Sequence, residues 1–135
     1  MDNFSIHGEV KAIMTDEKEN AFIVTVSGRI DSETSPAFDA ELTRAIGINS
    51  NLVIDLKDVN YMSSAGLRAV TNASQAAQKA GGILKLESVP KDVMSVMYTV
   101  GLNEKIGTFA TVDEAMVSFL FQINRRGQYE RLEDE

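Results

Sequence analysis

Cysteine is absent from the 135-residue chain, so a disulfide framework and thiolate metal sites are both excluded. Tryptophan is absent as well, and proline occurs only twice. The single histidine, His7, provides no zinc cluster and only one candidate base for a Ser-His pairing. No apolar run approaches the roughly 18 residues of a membrane span. Met1-Asp2-Asn3 is negatively charged and lacks an apolar run, which does not read as a signal peptide. A cytoplasmic protein is expected, with no membrane partner. Basic charge is also scarce: 13 Lys and Arg stand against 20 Asp and Glu, for a net charge of -7. Nucleic-acid phosphates demand a basic face, so a nucleic-acid partner is not expected. The acidity suits solubility, or a basic patch on a protein partner.

Catalytic and nucleotide-binding motifs are missing too. There is no G-x-x-x-x-G-K-[ST] and no G-x-G-x-x-G. Gly81-Gly82 precedes a strand rather than a helix, the wrong context for a phosphate. Ser64-Ala65-Gly66 is half of a nucleophile elbow and no more. Asp31, Asp55 and Asp58 read as turn and loop carboxylates rather than a cluster. An enzyme needs a base, an oxyanion site and a pocket, and these residues assemble none of them. The expectation is a binding protein, without cofactor or metal.

What the chain does have is enough apolar material, 44% of residues, to build one compact domain. Ser5 to Met14 and Ala21 to Ile30 read as two strands around a polar connection, Thr15 to Asn20. After Gly28 comes a polar turn from Asp31 to Thr34. Ser35-Pro36 predicts a helix start, with Ser35 as N-cap and a buried stripe of Phe38, Leu42, Ala45 and Ile46 up to Gly47. Leu52 to Leu56 is a short apolar run that reads as a strand buried on both faces. Leu67, Val70, Ala73 and Ala77 then fall on one side of a helix ending at Gly81-Gly82. Ile83 to Glu87 predicts another strand. Pro90 opens a helix with stripe Val93, Val96, Met97 and Val100, closed by Gly101 in a left-handed conformation. Ile106 to Phe109 is a weak edge strand. Thr111 to Glu114 is a capping box, leading a helix through Val112, Ala115, Met116, Phe119, Leu120 and Ile123. Residues 125–135 read as a charged tail outside a domain of residues 1–124.

The order β-β-α-β-α-β-α-β-α implies an α/β fold: one mixed sheet, parallel at its centre with an antiparallel edge, packed with about four helices. Its focus is Asn60-Tyr61-Met62-Ser63-Ser64-Ala65-Gly66-Leu67-Arg68, where a buried strand turns into a helix. Backbone N–H groups point outward there, and the helix dipole favours negative charge. A hydroxyl so placed can be an N-cap, a nucleophile or a site of phosphorylation. On local pattern alone, the capping role is the plainest of the three.

Val53-Ile54-Asp55-Leu56 through Tyr61-Met62-Ser63-Ser64-Ala65-Gly66-Leu67-Arg68 resembles the signature of the bacterial anti-sigma-factor antagonists, the STAS domain family. Gly28-Arg29-Ile30-Asp31 resembles its second recurring stretch, and the likeness extends over roughly Phe4 to Asn124. The resemblance implies partner switching. An unmodified antagonist binds an anti-sigma factor, usually itself a serine kinase, and frees a sigma factor. The kinase phosphorylates the antagonist on the serine that opens this helix, and a metal-dependent serine/threonine phosphatase reverses the step. By position in the motif the acceptor is Ser64, with Ser63 as second candidate. The partner-binding set is Asp31, Ser63, Ser64, Ala65, Gly66, Leu67 and Arg68, on a monomer or weak dimer. Two departures stand out: the family's Asp before the acceptor is Ser63 here, and its Ser or Thr after the acceptor is Ala65. Competing readings are an unphosphorylated STAS scaffold, a small-molecule or lipid-handling module, and, remotely, a serine hydrolase built on Ser64.

Overall fold

The structure, a computed structural model, describes residues 4–12, 20–111, 114–115, 121–123 and 129–131. Strands β1 (Ser5–Ala12) and β2 (Asn20–Ile30) pair antiparallel in the register Ser5 to Ser27. The chain continues through α1 (Ser35–Ile48), β3 (Leu52–Met62), α2 (Ser64–Lys79), β4 (Leu84–Glu87), α3 (Lys91–Val100) and β5 (Gly107–Phe109). The five strands form one sheet in the order β1-β2-β3-β4-β5, with β2 to β5 mutually parallel. Sequential order means that every crossover steps the same way, and right-handed crossovers then place their helices on one face. Accordingly α1 packs on both β2 and α2.

The core lies between that face and the helices. Val24, Val26, Ile30, Leu52, Ile54, Leu56, Leu84 and Leu86 meet Phe38, Leu42, Leu67, Val70 and Met97. By strand alternation the opposite face carries Ala21, Ile23, Val53, Lys85 and Glu87, all buried as well. The mixed sheet therefore stands as the sequence implies, and Leu52 to Leu56 is covered on both faces.

Several boundaries move. β3 does not stop at Leu56 but runs to Met62. Two register shifts against β2 insert extra residues on the β3 side, so the apolar alternation breaks while the ladder continues. α1 includes Ser35, and Thr34 takes the cap position, with Pro36 inside the first turn. The helix also passes through Gly47 to Ile48. On α3 only Val93 and Met97 are buried; Val96 and Val100 of the expected stripe are exposed. Gly101 closes α3 with φ 76°, as expected. A 3-10 turn, Leu102–Glu104, follows it.

Half of the expected capping box forms: the Glu114 backbone N–H donates to Thr111 Oγ1 at 3.1 Å, while the Glu114 carboxylate accepts from the Ala110 N–H at 3.2 Å, one residue before the cap. Glu114 and Ala115 are helical, while Val112, Met116, Phe119 and Leu120 lie outside the described residues. Ile123, however, is not helical. β6 (Phe121–Ile123) pairs antiparallel with β7 (Tyr129–Arg131), so this ladder crosses the boundary expected at residue 124. Aromatic and β-branched residues at 121, 123 and 129 favour extended backbone over a helix.

Candidate functional site: the mouth of helix α2

The site sits at the C-terminal ends of the parallel strands β2 and β3, the edge where open α/β sheets place their ligands. One hydrogen bond organises it. The Ser63 N–H donates to the Ile30 carbonyl at 2.8 Å, joining the exit of β3 to the exit of β2. Asp31 follows Ile30 directly, so the Gly28–Asp31 stretch and the serine stretch, remote in sequence, meet at one edge.

Asp31 builds the turn into α1. Its Oδ1 accepts from the backbone N–H groups of Glu33 at 2.9 Å and Thr34 at 3.1 Å. Its own N–H donates to Thr34 Oγ1 at 2.8 Å, and that hydroxyl donates to the Arg29 carbonyl at 2.8 Å. Arg29 Nε donates to Asp31 Oδ2 at 3.1 Å. The Thr34 and Glu33 backbone donors, with Arg29 beside them, hold the Asp31 carboxyl below its ordinary pKa.

The two serines have different jobs. Ser63 is the N-cap of α2, with extended backbone (φ -79°, ψ 173°), and its Oγ accepts from the Gly66 N–H at 3.4 Å. Ser64 is the first helical residue and is exposed. None of the described residues hydrogen-bonds its hydroxyl. The first turn of α2 holds no acidic residue, so its dipole is not already answered by a carboxylate. Ala65 is half-buried and Arg68 exposed. Together with Ser35, Pro36, Asp39, Ala69 and Asn72 they line a groove of about 330 Å³ between the N-terminal halves of α1 and α2.

Gly66 and Leu67 are buried. A Cβ on Gly66 would lie 2.7 Å from Met62 Cγ and 2.8 Å from Ile30 Cγ2. Gly66 thus lets α2 seat directly on the ends of β2 and β3, and Leu67 joins the core beneath.

The sequence reading missed a second polar cluster, on the far face of the sheet. Asp55 and Glu87 are register partners on β3 and β4. Glu87 accepts a hydrogen bond from the Ser88 hydroxyl on one carboxylate oxygen. Burial first, then the Asp55 carboxylate, pushes the Glu87 carboxyl up to about 7, against the pull of the Ser88 bond and Lys57. Lys85 lies two residues along, its ammonium 5.6 Å from the Phe109 ring centroid, and burial brings it down to about 8. The alternation Leu84-Lys85-Leu86-Glu87 was the available signal. It places both charges on one face but does not say that this face is covered.

A strand-to-helix turn of this construction, on a sheet of this order, defines a class. Residues 12–115 match the family model of the STAS domain, and the chain belongs to that family. The chain is similar to the anti-sigma-B factor antagonist of Bacillus subtilis (strain 168), at 32% identity over 90 residues, which is 67% of this chain and 83% of that protein. It is similar in structure to an anti-sigma factor antagonist from Mycobacterium paratuberculosis: TM-score 0.69, 25% identity, 84% of this chain and 93% of that one. SpoIIAA, a Bacillus cell fate determinant and anti-sigma factor antagonist, shares the fold at 18% identity in both of its states. The unphosphorylated form gives TM-score 0.66 over 87% of this chain and 96% of that one. The phosphorylated form gives 0.61 over 87% and 99%.

Proposed function

We propose that this protein is an anti-sigma factor antagonist that switches partners through Ser64. Unmodified, it binds an anti-sigma factor that is itself a serine kinase; phosphorylated on Ser64, it is released; a metal-dependent serine/threonine phosphatase restores it. It acts by binding rather than by catalysis. The observation that carries this reading is the exposed hydroxyl of Ser64 at the first position of α2, unbonded among the described residues, beside a Ser63 already occupied as the cap. Ser and Asp cap helices about equally well. Ser63, standing where the family's signature has Asp just before the acceptor, caps the helix, and in this reading Ser64 is the acceptor. That SpoIIAA keeps one fold with and without phosphate supports a switch that leaves the domain intact.

The test is to incubate the purified protein with the anti-sigma kinases of its source cell and ATP, then map phosphate by mass spectrometry. Incorporation at Ser64, abolished in Ser64→Ala, is the expected result. Phosphate found only elsewhere overturns the assignment.

A further inference from the structure

The surface beside Ser64 contains a feature that the signature does not explain. Between the pairs Gly28/Val59 and Arg29/Tyr61 the register of β3 slips against β2, leaving one extra residue on β3. In an unbroken ladder Asn60 would stand opposite Arg29, and Tyr61 would turn toward the helices. The bulge re-aims Tyr61 to the outer face, which is a common use of bulges near binding sites. Gly28, on the facing strand, takes φ 91° at the same point, a backbone that favours glycine. The Arg29 guanidinium carbon then lies 3.9 Å from the Tyr61 ring centroid, while Arg29 Nε is held by Asp31 Oδ2 at 3.1 Å. Tyr61 nevertheless remains 41% exposed. An exposed ring and a guanidinium, each fixed by the other, lose little freedom on binding. Tyr and Arg are also the residue types that dominate interface energetics. The platform is continuous with the serine site, since Tyr61 is two residues from Ser63 and the Ser63–Ile30 hydrogen bond ties both strands together.

We infer that Arg29 and Tyr61 are specificity residues of the docking surface, and that the anti-sigma partner covering Ser64 wraps over the sheet edge onto them. It lays an apolar side chain on the Tyr61 ring and an acceptor oxygen on the guanidinium. This rests on the function proposed above and adds the outer face to it.

The test titrates the kinase identified in the phosphorylation assay against wild type, Tyr61→Ala, Tyr61→Phe and Arg29→Lys by calorimetry. Tyr61→Ala is expected to weaken binding about tenfold or more. Arg29→Lys, which keeps the charge but loses the flat fork, should weaken it roughly three- to tenfold. Tyr61→Phe keeps the ring and should stay within about twofold. Hydroxyl-radical footprinting of the unaltered protein reads the same site without mutation: Tyr61 should lose reactivity in the complex. Equal reactivity of Tyr61 free and bound, or binding within twofold by both Tyr61→Ala and Arg29→Lys, overturns the inference. A wild-type protein that binds no anti-sigma kinase instead overturns the function itself, which is a distinct result.

Discussion

Ser63 and Ser64 are chemically identical, and only their backbone positions separate them. Ser63 sits outside the helix and gives its oxygen to an otherwise orphaned N–H; Ser64 sits inside the first turn with its hydroxyl to solvent. Ser63→Ala should cost about 0.5–2 kcal/mol of stability in urea denaturation, toward the lower end given a 3.4 Å bond. Ser64→Ala should stay within about 0.5 kcal/mol. Equal effects from the two would mean that Ser63 is no cap.

Glu87 supplies the pH dependence. Its carboxyl is raised in the folded protein to about 7 from 4.5, so the native state holds a proton that the unfolded chain releases. Its contribution to stability is full below about pH 4.5 and is lost as pH rises to about 7. Asp31, whose folded pKa is lowered from 3.8, has the opposite sign and contributes above that value, its share being lost as pH falls. Glu87→Gln, neutral at every pH, should flatten the decline between pH 4.5 and 7 in the urea midpoint. The expected change is on the order of 1 kcal/mol, since one pKa unit is worth about 1.4 kcal/mol and partial solvent screening reduces it. An undiminished decline would place its cause elsewhere.

At the scale of elements, the angle of α2 on the sheet decides how Ser64 is shown. Gly66→Ala puts a methyl into 2.7 and 2.8 Å contacts with Met62 and Ile30. Overpacking of this kind costs about 1–3 kcal/mol, to be read by thermal unfolding. Asn72→Ala, at an exposed position of α2, should be nearly neutral. Most elements of this architecture were legible as apolar periods bounded by Gly and Pro, and the Gly101 closure of α3 followed from residue type alone. The rest was hidden for identifiable reasons. The far half of β3 was invisible because two bulges shift the phase of its alternation, so Lys57, Asp58 and Asn60 look like a loop. Thr34 and Ser35 both suit a cap, and a Pro in the first turn does not choose between them. Val96 and Val100 fit the period of a buried stripe, yet burial depends on what lies opposite, which a period does not carry. Ile123 continues a helical spacing and equally alternates with Phe121. At the site, residue type marked Ser63, Ser64 and Asp31, whereas the burial of Gly66 and Leu67 and the Arg29–Tyr61 stack arise only from tertiary placement.

Over the whole molecule, the proposed switch balances two energies. A phosphate adds about -1.5 to -2 charge, and at the start of its own helix that charge is favoured by about 0.3–1 kcal/mol. The domain gains nothing by rearranging. A partner surface shaped around a neutral hydroxyl must instead desolvate or clash with the new group, at a cost of several kcal/mol. Only about 2.8 kcal/mol is needed for a hundredfold loss of affinity, so the larger effect falls between proteins. The most direct measurement is the ratio of Kd values for the anti-sigma kinase binding the unmodified and the Ser64-phosphorylated protein. A phosphorylated form that binds at least about a hundredfold more weakly is the predicted result. Equal affinity of the two forms would contradict it.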